Sequence, residues 1–394
     1  MTYDFDELIC RRGTHCVKWD KAASDEVLPL WVADMDFRAA PCILSALKRR
    51  LDHGVFGYAT VPDEFFSAAQ DWFATYHGWQ IEREWMQYTT GVVPAISATL
   101  HALTKPGDKV LIQTPVYNCF FSSIRNQKCV AEMSPLLYVC EDGQASYRID
   151  FDDFERRCAE PEVTAFVLCN PHNPAGRVWT REELKRMGEI CIRHGVIILS
   201  DEIHCEMTYE GNPYTPLASI SEEIRHQTVS FVSPSKSFNI AGLQVANIIC
   251  DNEERRRKID RAINDFETCD LNVFAIEAQI AAYREGRPWI EQLNAYLWEN
   301  YQMLLDFFRK HLPALPVCKL EGTYLPWVNV SATGKTSDEL SRELLEKAKV
   351  WLNPGTMYGP EGKDFLRINI ACPRQLLSEA MQRIAPYLKD SVGN

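Results

Sequence analysis

The sequence predicts an α/β protein: a larger domain built on a mostly parallel sheet flanked by helices, followed by a smaller α+β domain. Between about residues 85 and 250, short β-rich runs alternate with helical patterns, the alternation produced by crossover helices between parallel strands. After about residue 285 the texture changes to helical segments and then "YLPWVNVS", "TSDELSRELLEKAKV" and "FLRINIACP", which suits a smaller mixed domain. A length of 394 residues also exceeds one ordinary core, so two domains are expected.

In chain order, the first forty residues contain "LPLWVADMDF" and precede the helical "APCILSALKRR". Pattern alone assigns them to neither domain. The expected strands are "DKVLIQ" after Lys105-Pro106-Gly107, "VTAFVLC" before Asn170, "GVIILS" before Asp201, "QTVSFVS" before Pro234 and "VANIIC" before Asp251. Between the second and third lies "TREELKRMGEICIRHG", where Thr180 and Glu183 have capping-box spacing and Gly195 stands at the C-terminal cap position. Thr336 and Glu339 repeat that spacing at a later helix start. No internal repeat is present.

With 42 basic and 54 acidic residues, the formal charge of -12 disfavours non-specific attraction to nucleic acid or anionic membranes. Any anionic ligand then needs a local site. The start "MTYDFDELICRRGTHCVKWD" lacks a basic segment followed by an apolar one, and no apolar run approaches the ~18 residues of a membrane span. A cytoplasmic protein is expected. Its 14 cysteines are scattered without a CxxC pair and read as reduced thiols, mostly small buried apolar residues. In that compartment the sequon at Asn329 is silent.

Ligands of open α/β sheets bind beyond the carboxyl ends of the strands. Three polar clusters stand there: "NPHNPAG", "DEIH" and "SPSKS". Singly each has an ordinary reading, as a Pro/Asn-rich turn, a helix cap and a solvated charge. Together they bring Asn173, Asp201 and Lys236 to neighbouring strand ends. A buried amine becomes nucleophilic toward an aldehyde, and a carboxylate facing a pyridine nitrogen favours its protonated form. That combination describes pyridoxal phosphate chemistry. Donors for the phosphate are available in Ser233 and Ser235 and in "TGVVPAISATLHALT", a turn entering a helix.

These residues resemble those of the fold-type I pyridoxal phosphate enzymes, the aspartate aminotransferase superfamily, over nearly the whole chain. The most specific piece is "NPGTMYGPEGKDFLRINIA", similar to PGxxFGxxGxxxxRxxxA with Tyr358 in the aromatic place. "NPHNPAG", "SDEIH" and "SPSKSFNIAGL" stand in matching order. The resemblance implies a seven-stranded sheet, with residues 1–48 belonging to the small domain, 49–284 forming the large cofactor domain and 285–394 the C-terminal small domain. It implies Lys236 as the lysine bonded to the cofactor aldehyde, Asp201 as the pyridine partner, Asn173 as donor to the phenolic oxygen and Tyr117 as the ring-stacking aromatic. Arg367 takes the substrate α-carboxylate, a task suited to a planar fork. Val92, Val93, Ser233 and Ser235 correspond to the phosphate cradle. Tyr58 reaches the phosphate of a neighbouring subunit, implying a homodimer with shared sites. Ala33 and Asp34 close over the substrate, and Tyr324 and Tyr358 are further wall residues.

Two positions depart from the superfamily. Gln244 stands where many aminotransferases carry a phosphate-binding arginine, and His204 replaces a tyrosine near the phenolic oxygen. Both departures, with "WVADMDF", "GVFGY" and "GVVPAI", are similar to the C–S β-lyase branch, the cystathionine β-lyase and cysteine desulfhydrase group. The implied reaction is β-elimination from L-cystathionine, L-cysteine or a related conjugate, giving a thiol, pyruvate and ammonia. An aminotransferase uses the same lysine and remains the alternative, and a regulatory binding protein on this fold is more remote.

Other motifs are weaker. Ser233-Pro-Ser-Lys236 has the SxxK form of penicillin-binding proteins, but "SDN" is absent. "NVSATGKT" has Asn329 where a phosphate-binding loop needs glycine. His204 and Cys205 are adjacent and point apart, with no second pair at ligand spacing, so no metal is expected.

Overall fold

The computed structural model describes residues 2–141, 144–209 and 211–392. Its central sheet has seven strands: β1 (Met86–Thr89), β2 (Lys109–Ile112), β3 (Val130–Met133), β4 (Val163–Cys169), β5 (Ile197–Asp201), β6 (Thr228–Val232) and β7 (Ala246–Ile249). Across the sheet the order is β1-β7-β6-β5-β4-β2-β3. Strands β6, β5, β4, β2 and β3 are mutually parallel, whereas β7 runs antiparallel to both β6 and β1. Every residue of β6 and β7 is buried. Strands covered on both faces lose period-two alternation, which is why "TVSFV" and "ANII" read as continuous apolar runs.

The five expected strands are β2, β4, β5, β6 and β7. The edge strands β1 ("MQYT") and β3 ("VAEM") escaped the sequence pattern because each has a partly exposed face and carries polar residues. In the centre, Cys169 of β4 lies level with Asp201 of β5. Their carboxyl ends therefore open onto one place.

The helices that matter for the site are α1 (Pro41–His53), α2 (Asp63–His77), α3 (Val92–Leu103), α4 (Arg181–His194), α5 (Val273–Glu285), α6 (Arg287–His311) and α7 (Arg374–Val392). At the start of α4, Thr180 Oγ1 accepts the Glu183 N–H at 3.1 Å and Glu183 Oε2 accepts the Thr180 N–H at 2.8 Å. Gly195 ends the helix at φ +71°. The second expected capping box, Thr336 with Glu339, opens Ser337–Glu343. Both helix starts follow the sequence reading.

The C-terminal part centres on an antiparallel sheet of β8 (Trp327–Asn329), β9 (Asn353–Pro354) and β10 (Phe365–Arg367), in the order β8-β10-β9. Buried Asn300 of α6 ties this region down, donating to the carbonyls of Ile370 and Cys372 at 3.0 Å each. Leu28–Pro29 pairs in parallel with Val350–Trp351, and Trp31 stacks on Trp351 at 4.3 Å between ring centroids. By contrast, α1 packs along α5, so a division after residue 48 falls inside a helix.

The glycines of "NPGTMYGPEGK" answer a packing requirement. A Cβ on Gly355 would overlap the Gly362 carbonyl, and one on Gly362 would overlap Gly355. The two backbones press together, which turns the chain back into β10 and delivers Arg367 at its end. Among the described residues no helix is long and apolar enough to cross a membrane. All 14 cysteines are free thiols.

Candidate active site

A cavity of about 200 Å3 lies at the carboxyl ends of the parallel strands. Its wall includes Asn173 from the turn after β4, Asp201 at the end of β5, His204 just beyond, and Lys236 from the turn after β6. Tyr117, Ala33 and the first turn of α3 complete it. The three polar clusters expected to converge do converge.

Lys236 sits in the single turn Pro234–Ser237, capped by Ser233. Its Nζ donates to the Ala33 carbonyl at 2.7 Å. Burial, and then the Arg367 guanidinium, hold the amine below its ordinary pKa against the opposing pull of Asp34 and Asp201. Such a lysine keeps a larger neutral fraction, as a nucleophile or base requires.

Asp201 is buried, and its Oδ1 accepts the Ile203 N–H at 3.1 Å. Burial raises its pKa to about 7, the Ile203 N–H works against that, Glu202 adds to it and Lys236 again opposes it. A carboxylate so poised gains by facing a cation. His204 is pushed down to about 3 by burial, then by Lys236 and Arg367, and so stays neutral. Its ring meets Tyr324 edge-on at 5.9 Å, and its Nδ1 has no partner among the described residues.

Arg367 donates from Nη1 to Asn173 Oδ1 at 3.1 Å and from Nη2 to the Trp31 carbonyl at 2.9 Å. Its guanidinium lies 4.9 Å over the Tyr358 ring, and its Nε is buried without a partner among the described residues. A planar cation with a donor to spare suits a carboxylate. At the start of α3 the first intrahelical bond runs from the Ala95 N–H to the Gly91 carbonyl at 2.9 Å. The amides of Val92 and Val93 therefore have no partner within the helix, and Pro94 has no N–H, so the positive helix end faces the cavity.

Other expected site residues lie differently. Ser233 Oγ donates to the Val245 carbonyl at 2.6 Å and accepts the Ser235 N–H at 3.1 Å, so its proton is committed to the backbone. Neither Ser233 nor Ser235 is part of the cavity wall. Asp34 turns its carboxylate away to Arg11, with Nη2 at 2.7 Å from Oδ2. Tyr324 and Tyr358 support the wall from behind: the Tyr324 hydroxyl donates to the Ala33 carbonyl at 3.0 Å, and Tyr358 accepts from Asn353 Nδ2 at 3.0 Å. Tyr58 projects fully into solvent, 105% exposed. Gln244 is also exposed, in a left-handed turn at φ +56°, and does not reach the cavity.

Cys169 and Ile203 belong to the wall and were not singled out from sequence. Cys169 is the last residue of β4, so the strand-end rule that drew attention to Asp201 would have found it. The Trp31 and Ala33 carbonyls carry no sequence signal, because every residue has one. Among the described residues no group of three or more His, Cys, Asp or Glu side chains is placed to hold a metal ion.

The chain is 42% identical over 389 residues to cystathionine beta-lyase PatB of Bacillus subtilis, covering 98% of this chain and all of that protein. It is 36% identical over 386 residues to protein MalY of Escherichia coli, covering 96% and 97% of the two chains. Among solved structures, cystalysin from Treponema denticola, which contains a pyridoxal 5′-phosphate cofactor, superposes with a TM-score of 0.95 at 33% identity, over 99% of this chain and 100% of that one. The PLP-bound C-S lyase from Staphylococcus hominis gives 0.90 at 31% identity, over 98% and 99%. Residues 25–384, from before Trp31 to beyond Arg367, match the model for aminotransferase class I and II, and the chain belongs to that family.

Proposed function

We propose that this chain is a pyridoxal phosphate-dependent carbon–sulfur β-lyase acting on L-cystathionine, L-cysteine or a related cysteine S-conjugate. The observation that carries this reading is the convergence of Lys236, Asp201 and Asn173 on one cavity, with Arg367 bonded to Asn173, in a chain similar along its length to cystathionine β-lyases. The donor set fits the cofactor. A half-buried amine is available for an aldehyde, a buried carboxylate for a ring nitrogen, and a helix N-terminus for a phosphate.

Bound there, pyridoxal phosphate supplies an electron sink that stabilises negative charge at the substrate Cα. Asp201 would keep the ring nitrogen protonated, Tyr117 would pack against the ring, and Asn173 would orient it. Arg367 pairs with the α-carboxylate. Lys236 takes the Cα proton and then, carrying it, is placed to protonate the departing sulfur. The Cβ–S bond breaks with its electron pair on sulfur, and with one water the carbon skeleton leaves as pyruvate and ammonia.

A transaminase needs the same groups, so the test turns on the co-substrate. The holoenzyme given L-cystathionine and no keto acid should release a thiol and pyruvate. Turnover that requires a keto acid and frees no thiol rejects the lyase reading.

We infer further that the enzyme works as a homodimer with shared sites. Residues 51–60 are exposed throughout, including Leu51, Val55, Phe56 and Tyr58, a run of apolar surface that a partner would cover. Tyr58 then serves the neighbour's phosphate. Mixing inactive Lys236→Ala with Tyr58→Ala subunits should restore activity, because each mixed dimer contains one native site. No recovery after confirmed subunit exchange would reject sharing.

A further inference from the structure

The strap Trp31–Phe37 is gripped from two sides. On one side its carbonyls serve as acceptors: Trp31 for Arg367 at 2.9 Å and Asn353 Nδ2 at 2.8 Å, and Ala33, in the cavity wall, for Lys236 at 2.7 Å and Tyr324 at 3.0 Å. On the other side, its carboxylates meet cations from the N-terminal segment. Arg11 binds Asp34 through two bonds of 3.2 and 2.7 Å, Asp36 at 2.6 Å and the Met35 carbonyl at 3.0 Å. Lys18 lies 2.7 Å from Asp36 and 3.5 Å from Asp34, and Trp19 Nε1 donates to Asp36 at 2.8 Å.

This is a costly way to fasten a chain terminus. Lys18 is fully buried and Asp36 is 3% exposed. Desolvating such a pair offsets much of its attraction, so a buried ion pair is weak evidence of a stabilising role and better evidence of a fixed geometry. The geometry here is the position of two carbonyls that catalytic cations touch.

We propose that Lys18 and Arg11 are positioning residues for catalysis: by clamping Asp34 and Asp36 they hold the Trp31 and Ala33 carbonyls that orient Arg367 and Lys236. The inference rests on the reading that Arg367 takes the substrate α-carboxylate. Loosening the clamp leaves both cations with a wandering acceptor, and misplacement of about 1 Å costs up to about 100-fold in well-oriented sites. The larger share should fall on substrate binding, because Arg367 and its acceptor must already be aligned when the carboxylate arrives.

The test uses the holoenzyme of the double variant Lys18→Met with Asp36→Asn, which removes both charges and leaves no lone buried ion. Hydrogen exchange at the amides of 31–37 should rise while the central strands stay protected. KM for the eliminating substrate should rise about tenfold or more, with a smaller change in kcat, and affinity for L-alanine, which cannot eliminate, should fall by the same factor. Arg11→Gln, at a partly exposed position, reads the same quantities should the buried pair fail to fold. Unchanged KM and L-alanine affinity, with or without a loss of thermal stability, would make the clamp purely structural and overturn the proposal. Absence of thiol release would reject the lyase reading alone, since L-alanine affinity does not depend on elimination.

Discussion

Replacing Lys236 by alanine is expected to lower kcat by about 10^4-fold or more, because in the proposed mechanism one amine serves as nucleophile and as proton carrier, and general acid–base catalysis alone is worth about 10^2 to 10^4. The fold should survive. The side chain is half-buried, and among the described residues its one hydrogen bond runs to the Ala33 carbonyl, so deleting an amine already held below its ordinary pKa by desolvation removes a cost. Thermal unfolding of the cofactor-free variant should therefore match or exceed the parent. Borohydride treatment should fix pyridoxal phosphate to the parent at the peptide containing Lys236 and leave the variant unlabelled. Labelling of another lysine, or retention of more than a hundredth of the activity, would reject the assignment.

Asp201→Asn separates function from stability. A neutral amide cannot balance a protonated ring nitrogen, and losing one preorganised electrostatic partner costs roughly 10^2 to 10^3 in kcat. The cofactor-free chain should move the other way. Burial raises the folded pKa of Asp201 to about 7, against 3.8 for the ordinary group. A carboxyl whose folded value is raised favours folding fully only below its unfolded value, and that contribution is lost as pH climbs through about 7. At alkaline pH the parent carries a buried charge that the asparagine variant lacks. Denaturant unfolding without cofactor should show the variant gaining stability over the parent from acid to alkaline pH. Equal pH dependence would mean that Asp201 is not protonated on folding.

How far the site was legible follows from what each residue does. Lys236, Asp201 and Asn173 could be found because they meet in one cavity through side chains beyond strand ends, and strand ends are visible where buried parallel strands leave uninterrupted apolar runs. Ser233, off the cavity wall, shows the complementary case. A hydroxyl beside a lysine looks like a phosphate donor, but its proton goes to Val245, twelve residues on, and sequence does not show which donors the backbone consumes. The edge strands β1 and β3 were hidden by their polar faces. Nothing in "RRGTHCVKWD" marks Arg11 and Lys18 as partners of Asp34 and Asp36, since long-range ion pairs have no period.

The Ala33 carbonyl accepts from both Lys236 and Tyr324. It is a main-chain atom, so whichever amino acid is encoded at position 33 will still present that oxygen. A saturation screen would score the position only for side-chain bulk and pass over the atom that touches the lysine. Reaching it requires chemistry outside the genetic code's twenty residues. Exchanging the following amide for an ester, by installing the hydroxy-acid counterpart of Asp34, weakens that one oxygen as an acceptor while keeping every side chain in place.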